Sequence, residues 1–188
     1  MKVIFSKPLL RLILVLISFA NIALSDSFEN NSYNNHGSVG LINIPTARFY
    51  NEAVHGGTMY DGTPDQKITL TSNPYDWLEA SFFYTNIQGL PYPGYEYQDY
   101  KDKGFNLKLR LKKEGVLPAI AVGLNDFAGT GFYSSEYIVS SYGVGNIDMH
   151  FGLGWGQLNG TKEFKNPLSY LNDSFLNRPT DFGQGGSL

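Results

Sequence analysis

Alternating apolar and polar residues dominate the middle of the chain. The segment FNLKLRLK at 105–112 places its phenylalanine and leucines on one side and its asparagine, lysines and arginine on the other, because successive strand side chains point to opposite faces. Segments 67–71, 78–84 and 147–156 repeat this design. No part of the alternating region keeps a helical period with caps, so the pattern predicts an antiparallel all-β protein.

The predicted strands are short and separated by turn residues. They cover 54–61, 67–71, 78–84, 105–112, 119–126, 136–142 and 147–156, with a weaker candidate at 38–44. Residues 89–103 contain four tyrosines, two prolines and acidic residues, which is typical of an exposed loop. The pattern therefore predicts a meander of seven to eight strands.

Both ends of the chain depart from this pattern. Residues 1–25 combine a positive start, a short apolar run and small residues before Ser25, which predicts a cleaved signal peptide. Residues 26–37 are rich in Asn and Ser and predict a flexible leader, whereas 157–188 predict an irregular polar tail. The predicted organisation is thus signal peptide 1–25, leader 26–37, β-barrel segment 38–156 and tail 157–188.

Composition narrows the classes of function. Aromatic residues make up 15% and charged residues 16% of the chain, against about 25% charged in average domains. Removing residues 1–25, which carry three basic and no acidic residues, leaves 11 basic and 17 acidic residues and a net charge of −6. A nucleic-acid partner would require a basic excess. The absence of cysteine excludes disulfides, thiol catalysis and acylation of a cysteine, and no cofactor or metal site is expected.

Two architectures fit alternating strands in an exported protein. A soluble periplasmic β-sandwich buries its apolar faces, whereas an outer-membrane barrel turns them towards lipid. The face opposite the apolar one at 147–156 carries three glycines, a histidine and an aspartate, and glycine on a solvent face weakens a strand without compensation. Aromatic residues also lie near the predicted strand ends, as in an interfacial girdle. These features favour the barrel, with the sandwich as the alternative.

Longer segments resemble a known family. GLINIPTARFYNE at 40–52, NPYDWLEASFFYTNIQG at 73–89 and the stretch from Lys103 to Gly156 resemble the YjbH-like outer-membrane proteins of exopolysaccharide and capsule production. The resemblance implies a β-barrel in the bacterial outer membrane and a role linked to surface polysaccharide. It brings no enzymatic activity and no catalytic residue. Members of that family are several hundred residues long, so the expected structure is an incomplete arc from a truncated chain.

Two groups of side chains are candidates for polysaccharide contact. The polar face of 105–112 carries Lys108, Arg110 and Lys112, and a cationic stripe would attract an acidic exopolysaccharide. Alternatively, these charges pair with acidic residues such as Glu79, Asp126, Glu136 or Asp148. The expected loop carries Tyr92, Tyr95, Tyr97 and Tyr100, whose rings can stack on sugars.

The resulting hypothesis is a non-enzymatic outer-membrane β-barrel protein that assists exopolysaccharide or capsule secretion or assembly. Its expected partners are outer-membrane lipid, an acidic exopolysaccharide and other envelope secretion proteins. The alternative is a soluble periplasmic β-sandwich that binds polysaccharide or a partner protein. Fractionation separates the two hypotheses, since only a barrel requires detergent for extraction.

Overall fold

The computed structural model describes residues 31–92, 94–159 and 165–176. The predicted signal peptide, residues 26–30 of the leader, and residues 160–164 and 177–188 of the tail lie outside the described residues. The domain boundaries at those places stay predictions. Within the described ranges, no helix is long and apolar enough to cross a membrane.

Nine β-strands build the described part of the chain. Their bounds are β1 Gly40–Leu41, β2 Ile44–Pro45, β3 Val54–Asp61, β4 Asp65–Tyr75, β5 Leu78–Tyr92, β6 Tyr95–Lys112, β7 Ala119–Asn125, β8 Ser135–Val144 and β9 Ile147–Gly156. Strands β3 to β9 form one antiparallel sheet in chain order. This confirms the prediction of an antiparallel all-β meander, and β3 and β9 have the predicted bounds.

The weak strand predicted at 38–44 does not join this sheet. Its residues divide between β1 and β2, which pair only with each other as a two-stranded hairpin. The sheet is therefore open, with β3 and β9 at its two edges. Gly40 explains the close packing of the hairpin, since a Cβ there would lie 2.3 Å from the carbonyl oxygen of Ile44.

The prediction of an exposed loop at 89–103 is wrong. Strands β5 and β6 continue through this region as a long hairpin, with Ile87 opposite Tyr100 and Tyr92 opposite Tyr95. Shifts of register between Ile87 and Tyr92 accommodate Gly89 and Pro91. The rings of Tyr92 and Tyr100 stack with centroids 5.6 Å apart. Cross-strand packing of this kind stabilises a hairpin despite residues that individually favour turns.

The two faces of the sheet have opposite chemistry. On one face Leu70 and Phe151 are 61% and 75% exposed. On the other, which is named the polar face here, Thr69 and Thr71 are buried. Soluble sheets bury their apolar face and expose their polar one, so this sheet is inverted. Among the described residues, no second sheet packs on the apolar face.

Residues 31–50, named the plug here, cover the polar face. Ala47 and Phe49 of the plug pack in a small apolar cluster with Ala121, Tyr137 and Val139 of β7 and β8. Although the sequence predicts a flexible leader up to residue 37, residues 31–37 belong to this buried segment. The Asn34 side chain accepts hydrogen bonds from the backbone N–H groups of His36 and Ser38. Such Asx turns supply the local order that the apolar pattern does not show.

The described part of the predicted tail contains two short 3-10 turns, Pro167–Tyr170 and Asp173–Phe175. Asn166 precedes the first turn and its side chain accepts from the Leu168 N–H. The same side chain donates to Glu136 of β8 at 2.7 Å. The described tail therefore contacts the start of β8 at Glu136, which alternates with Tyr137 of the polar face.

The two ends of the sheet also differ. At one end, named the short-turn end, two residues each connect β4 to β5 and β8 to β9, and six residues connect β6 to β7. At the other, named the hairpin end, β5 and β6 extend beyond their neighbours and residues 126–134 join β7 to β8. The plug leads into β3 at the short-turn end, because Val54 pairs with Asn73 next to the β4–β5 turn.

Candidate functional site

Lys108 and Arg110 of the predicted cationic row lie on the polar face, under the plug, whereas a register shift places Lys112 opposite Ile120. Lys108 has 1% of its side chain exposed and its Nζ lies 3.1 Å from Glu79 Oε1. Arg110 stacks its guanidinium 4.4 Å from the centroid of the Phe49 ring, and Lys112 is half-buried. The ion pair agrees with the alternative in which these charges meet acidic partners. A polysaccharide cannot reach the Lys108 ammonium while the plug is in place.

Glu79 and Lys108 bind the plug through both of their charged groups. The Ser38 hydroxyl and the Val39 N–H donate to Glu79 Oε1 at 2.5 and 3.2 Å. Lys108 Nζ donates to the carbonyl oxygens of Val39 at 3.1 Å and Arg48 at 2.9 Å. Hydrogen bonds to charged groups are stronger than neutral ones, so this pair holds the plug on both sides of the β1–β2 hairpin.

Arg48 attaches the other end of the plug to the short-turn end of the sheet. Its guanidinium donates two hydrogen bonds to Asp148, at 2.6 and 3.0 Å, and forms an ion pair with Glu114. Burial lowers the pKa of Arg48, but the hydrogen bonds to Asp148 and Glu114 outweigh burial and raise it above its ordinary value. Arg48 therefore stays charged and bidentate, the geometry for which an arginine is best suited.

A Ser–His–Asp arrangement lies next to Arg48. Ser141 Oγ and His150 Nδ1 are 2.8 Å apart, and His150 Nε2 is 3.4 Å from Asp148. Ser141 is fully buried and its Oγ accepts a hydrogen bond from the Ala47 N–H of the plug. A nucleophile needs access to its substrate, which the plug prevents. The arrangement serves to hold the plug at Ala47.

The four candidate tyrosines lie far from the cationic row. Tyr95 and Lys108 belong to the same strand but are 13 residues apart, or about 43 Å at the rise of a strand. Tyr95 and Tyr97 are strongly exposed at the hairpin end, whereas Tyr100 is buried. The structure thus separates the exposed Tyr95 and Tyr97 from the buried Lys108.

A cavity of about 190 Å³ lies between the plug and the hairpin end of the sheet. Its wall includes His36 of the plug, Lys67 of β4 and Tyr133 of the β7–β8 connection. Lys67 Nζ lies 3.3 Å from His36 Nδ1 and 4.1 Å from the Tyr133 ring centroid. Burial, reinforced by the Lys67 charge, lowers the pKa of His36 to about 4. His36 is therefore neutral at neutral pH.

Asp126 closes this region from the β7–β8 connection. Burial and the charge of Asp102 raise the pKa of Asp126 to about 7. Its backbone N–H donates to Asn106, and its carboxylate accepts from the Tyr133 N–H. Among the described residues, no group of three or more His, Asp or Glu side chains is placed to hold a metal ion.

The pattern of the sequence does not predict the plug or the cavity. The alternation around Lys67 places it on the same face as Thr69 and Thr71, so the sequence predicts the face on which Lys67 lies. Its contacts with His36 and Tyr133 join residues separated by 31 and 66 positions in the chain. No periodicity or short motif carries information on such distant contacts.

Comparisons with known proteins place the chain in a family. A family model described as exopolysaccharide biosynthesis protein YbjH, of the YjbH family, matches residues 32–188. A protein of Escherichia coli (strain K12), named "Uncharacterized lipoprotein YjbH", is 37% identical over 162 residues, which are 84% of this chain and 23% of that protein. The chain thus spans about a quarter of the length of that curated relative.

No solved structure matches the chain. The relative is named a lipoprotein, whereas the 188 residues of this chain contain no cysteine. The matched region starts within the plug and includes every strand of the sheet, so the family likeness and the inverted sheet concern the same residues. The chain belongs to the YjbH family of exopolysaccharide biosynthesis proteins.

Proposed function

We propose that this chain forms part of an outer-membrane β-barrel that assists the secretion of an exopolysaccharide without catalysing a reaction. The inverted sheet is the observation that carries the proposal. Exposed apolar side chains occur on its strands from one edge to the other, at Met59, Leu70, Phe82, Phe105, Ile138 and Phe151. Large contiguous apolar surfaces mark contact with a membrane or a protein.

The polar face supports the same proposal. It buries Lys108 and Glu79 as an ion pair and seats a segment rich in hydrogen bonds. Transmembrane barrels have a polar interior that a segment of the chain can fill. The alternative, a soluble β-sandwich, would require a second apolar layer on the outer face, and the plug lies on the polar side instead.

The ends of the sheet suggest an orientation. Outer-membrane barrels have short periplasmic turns and longer external loops. We place the short-turn end, with its two-residue connections after Tyr75 and Val144, in the periplasm. The hairpin end, with exposed Tyr95 and Tyr97, then lies outside the cell. In this orientation the plug enters from the periplasm, as expected for a chain that follows a signal peptide.

The proposed role in secretion depends on which surfaces of the sheet remain accessible. Because the plug covers Lys108 and Glu79, this part of the interior is not an empty channel in the described residues. We propose that the chain contacts polysaccharide at the hairpin end, where tyrosines are exposed. The relative in this family carries further residues. The role of such a complete protein in secretion is also part of the proposal.

Cell fractionation combined with a secretion assay tests the proposal. The protein should require detergent for extraction and co-sediment with outer membranes, and deleting its gene should reduce cell-surface exopolysaccharide. A complementing gene with Leu70→Arg, which places a charge on the apolar face, should fail to restore both properties. Release of the wild-type protein as a soluble periplasmic species would contradict the proposal.

A further inference from the structure

An unbroken row of six aromatic rings leads from the tip of the β5–β6 hairpin to the cavity. Successive ring centroids lie 5.1–6.4 Å apart, the range of direct aromatic contact. In order, the row contains Tyr95, Tyr92, Tyr100, Phe132, Tyr133 and Phe83. Tyr100 and Phe83 are buried, whereas the other four rings keep part of their surface accessible. The buried rings hold the accessible ones in place.

The cavity at the end of this row has the size of one sugar ring. An apolar cavity of about 150 Å³ accommodates benzene, and this one measures about 190 Å³. Tyr133 supplies an aromatic wall, and Asn125 and Gln157 supply amides. Asn125 donates to Ser135 and Gln157 donates to the Phe132 carbonyl, which leaves the amide oxygens to accept from ligand hydroxyls.

The charges around the cavity favour an uncharged ligand. Lys67 is the lysine in its wall, and the carboxylates of Asp65, Asp102 and Asp126 interact electrostatically with that ammonium. These acidic groups offset the lysine, so the cavity has no surplus of positive charge for a second anion. An acidic sugar would bring another negative charge into a poorly screened space.

We propose that this cavity is a subsite for one uncharged pyranose residue of a polysaccharide, and that Tyr95, Tyr92 and Phe132 guide the polymer towards it. The inference rests on the proposed function and specifies its ligand. Pyranoses have apolar C–H faces and a rim of hydroxyls, which match an aromatic surface with a few amide acceptors. The charge balance revises the expectation of an acidic exopolysaccharide at this part of the protein.

Saturation-transfer NMR on the full chain folded in detergent tests the subsite. The probes are methyl α-glucopyranoside and methyl α-galactopyranoside, with methyl α-glucuronide as the acidic counterpart. Saturation of the ring protons is expected for at least one neutral probe and weaker saturation for the glucuronide. Tyr133→Leu, which removes the aromatic wall, should weaken neutral-probe binding by about tenfold, the effect of one good aromatic contact.

Two further variants distinguish loss of the subsite from misfolding of the protein. Gln157→Trp places a large ring at an exposed position of the cavity wall and should also abolish the signal. Tyr84→Leu changes an exposed tyrosine on the apolar face and should leave the signal unchanged. Absence of saturation with both neutral probes, stronger saturation by the glucuronide, or saturation that survives both cavity variants would overturn the subsite.

The subsite and the proposed function fail independently. Sugar binding is measured in detergent without a cell envelope, whereas the secretion role is measured by fractionation and by surface polysaccharide. A membrane-embedded protein that binds neither neutral probe would remove the subsite alone. A soluble periplasmic protein that binds them would remove the barrel and keep the subsite.

Discussion

Glu79 and Lys108 face each other across β5 and β6 as a buried ion pair, with Nζ and Oε1 3.1 Å apart and at most 3% of either side chain exposed. Removing two charges from water is costly, and their attraction compensates for the cost only when further hydrogen bonds satisfy both groups. Here Ser38, Val39 and Arg48 of the plug supply those hydrogen bonds. The sheet and the plug therefore depend on each other.

Lys108→Met should destabilise the folded chain by about 3–5 kcal/mol, because it leaves the Glu79 carboxylate buried without its cation. The free energy of unfolding, measured by denaturant titration in detergent, checks this value. Lys113→Met is the matched control, since the Lys113–Asp76 pair has 68% and 42% of its side chains exposed. Exposed pairs contribute about 0–1 kcal/mol. Equal losses in the two variants would contradict the role assigned to Lys108.

Leu70→Arg should prevent stable insertion into a bilayer. Leu70 lies at the middle of β4 on the apolar face, opposite Phe82, where an arginine costs about 2–4 kcal/mol in a membrane barrel. Val116→Arg, the same change of chemistry at an exposed position between β6 and β7, should be tolerated. The readout is the fraction of protein that co-floats with liposomes. In a soluble protein both exposed positions would accept arginine equally well.

Local pattern was sufficient to predict most of the sheet. Strands β3 and β9 start and end as predicted, because apolar residues alternate through β9 and turn residues bound both strands. The sequence also favours the inverted sense of the two faces, because Gly152 and Gly154 alternate with Phe151 and Leu153 and so lie on the other face. The ion pair of Lys108 with Glu79 agrees with the alternative in which the cationic row meets acidic side chains.

The missed features depend on contacts between distant residues. The extended β5–β6 hairpin contains Gly89 and Pro91, which disfavour strands locally. It forms because the two strands pair and their tyrosines stack. The plug has no apolar period, and contacts such as Arg48 with Asp148 span 100 residues. A pattern within a short window cannot predict such pairs.

His36→Asn should alter how stability depends on pH. The pKa of His36 is lowered to about 4 in the folded chain by burial and by Lys67, against about 6.5 when unfolded. Between these values only the unfolded chain takes up the proton, so wild-type stability should fall relative to the variant as the pH drops from 6.5 to 4, by at most about 3 kcal/mol.

Measurement of the difference between the two proteins is necessary, because Asp126 acts in the opposite direction. Its pKa is raised to about 7, so its contribution is present at low pH and is lost as the pH rises through that value. Asp126 is common to both proteins and cancels in the comparison. His55→Asn, at an exposed position of β3, should keep the wild-type profile. Identical profiles for wild type and His36→Asn would refute the assignment.

Gly104→Ala should displace the β7–β8 connection from the polar face. A Cβ at Gly104 would lie 2.1 Å from Asp126 Oδ1 and 3.0 Å from the Phe83 ring. Overpacking of this kind costs about 1–3 kcal/mol, and residues 126–134 should become more susceptible to limited proteolysis. Gly115→Ala is the control, since no atom lies within 4 Å of its Cβ position. Unchanged protease resistance in Gly104→Ala would show that the connection is not seated on Gly104.

The 188-residue chain folded alone in detergent should show no heat-modifiable mobility on a gel. The sheet is open and has seven strands in meander order, so β3 and β9 run in the same direction. Closing them would require a parallel pair, whereas bacterial outer-membrane barrels contain even numbers of antiparallel strands.

An open edge in lipid leaves backbone groups unpaired at several kcal/mol each, and we therefore expect protease to cleave the isolated chain readily within its edge strands β3 and β9. Adding the following strands of a longer relative should restore resistance and the mobility shift together. A compact, protease-resistant species of the 188 residues that shifts on boiling would show that these seven strands close a barrel without further residues.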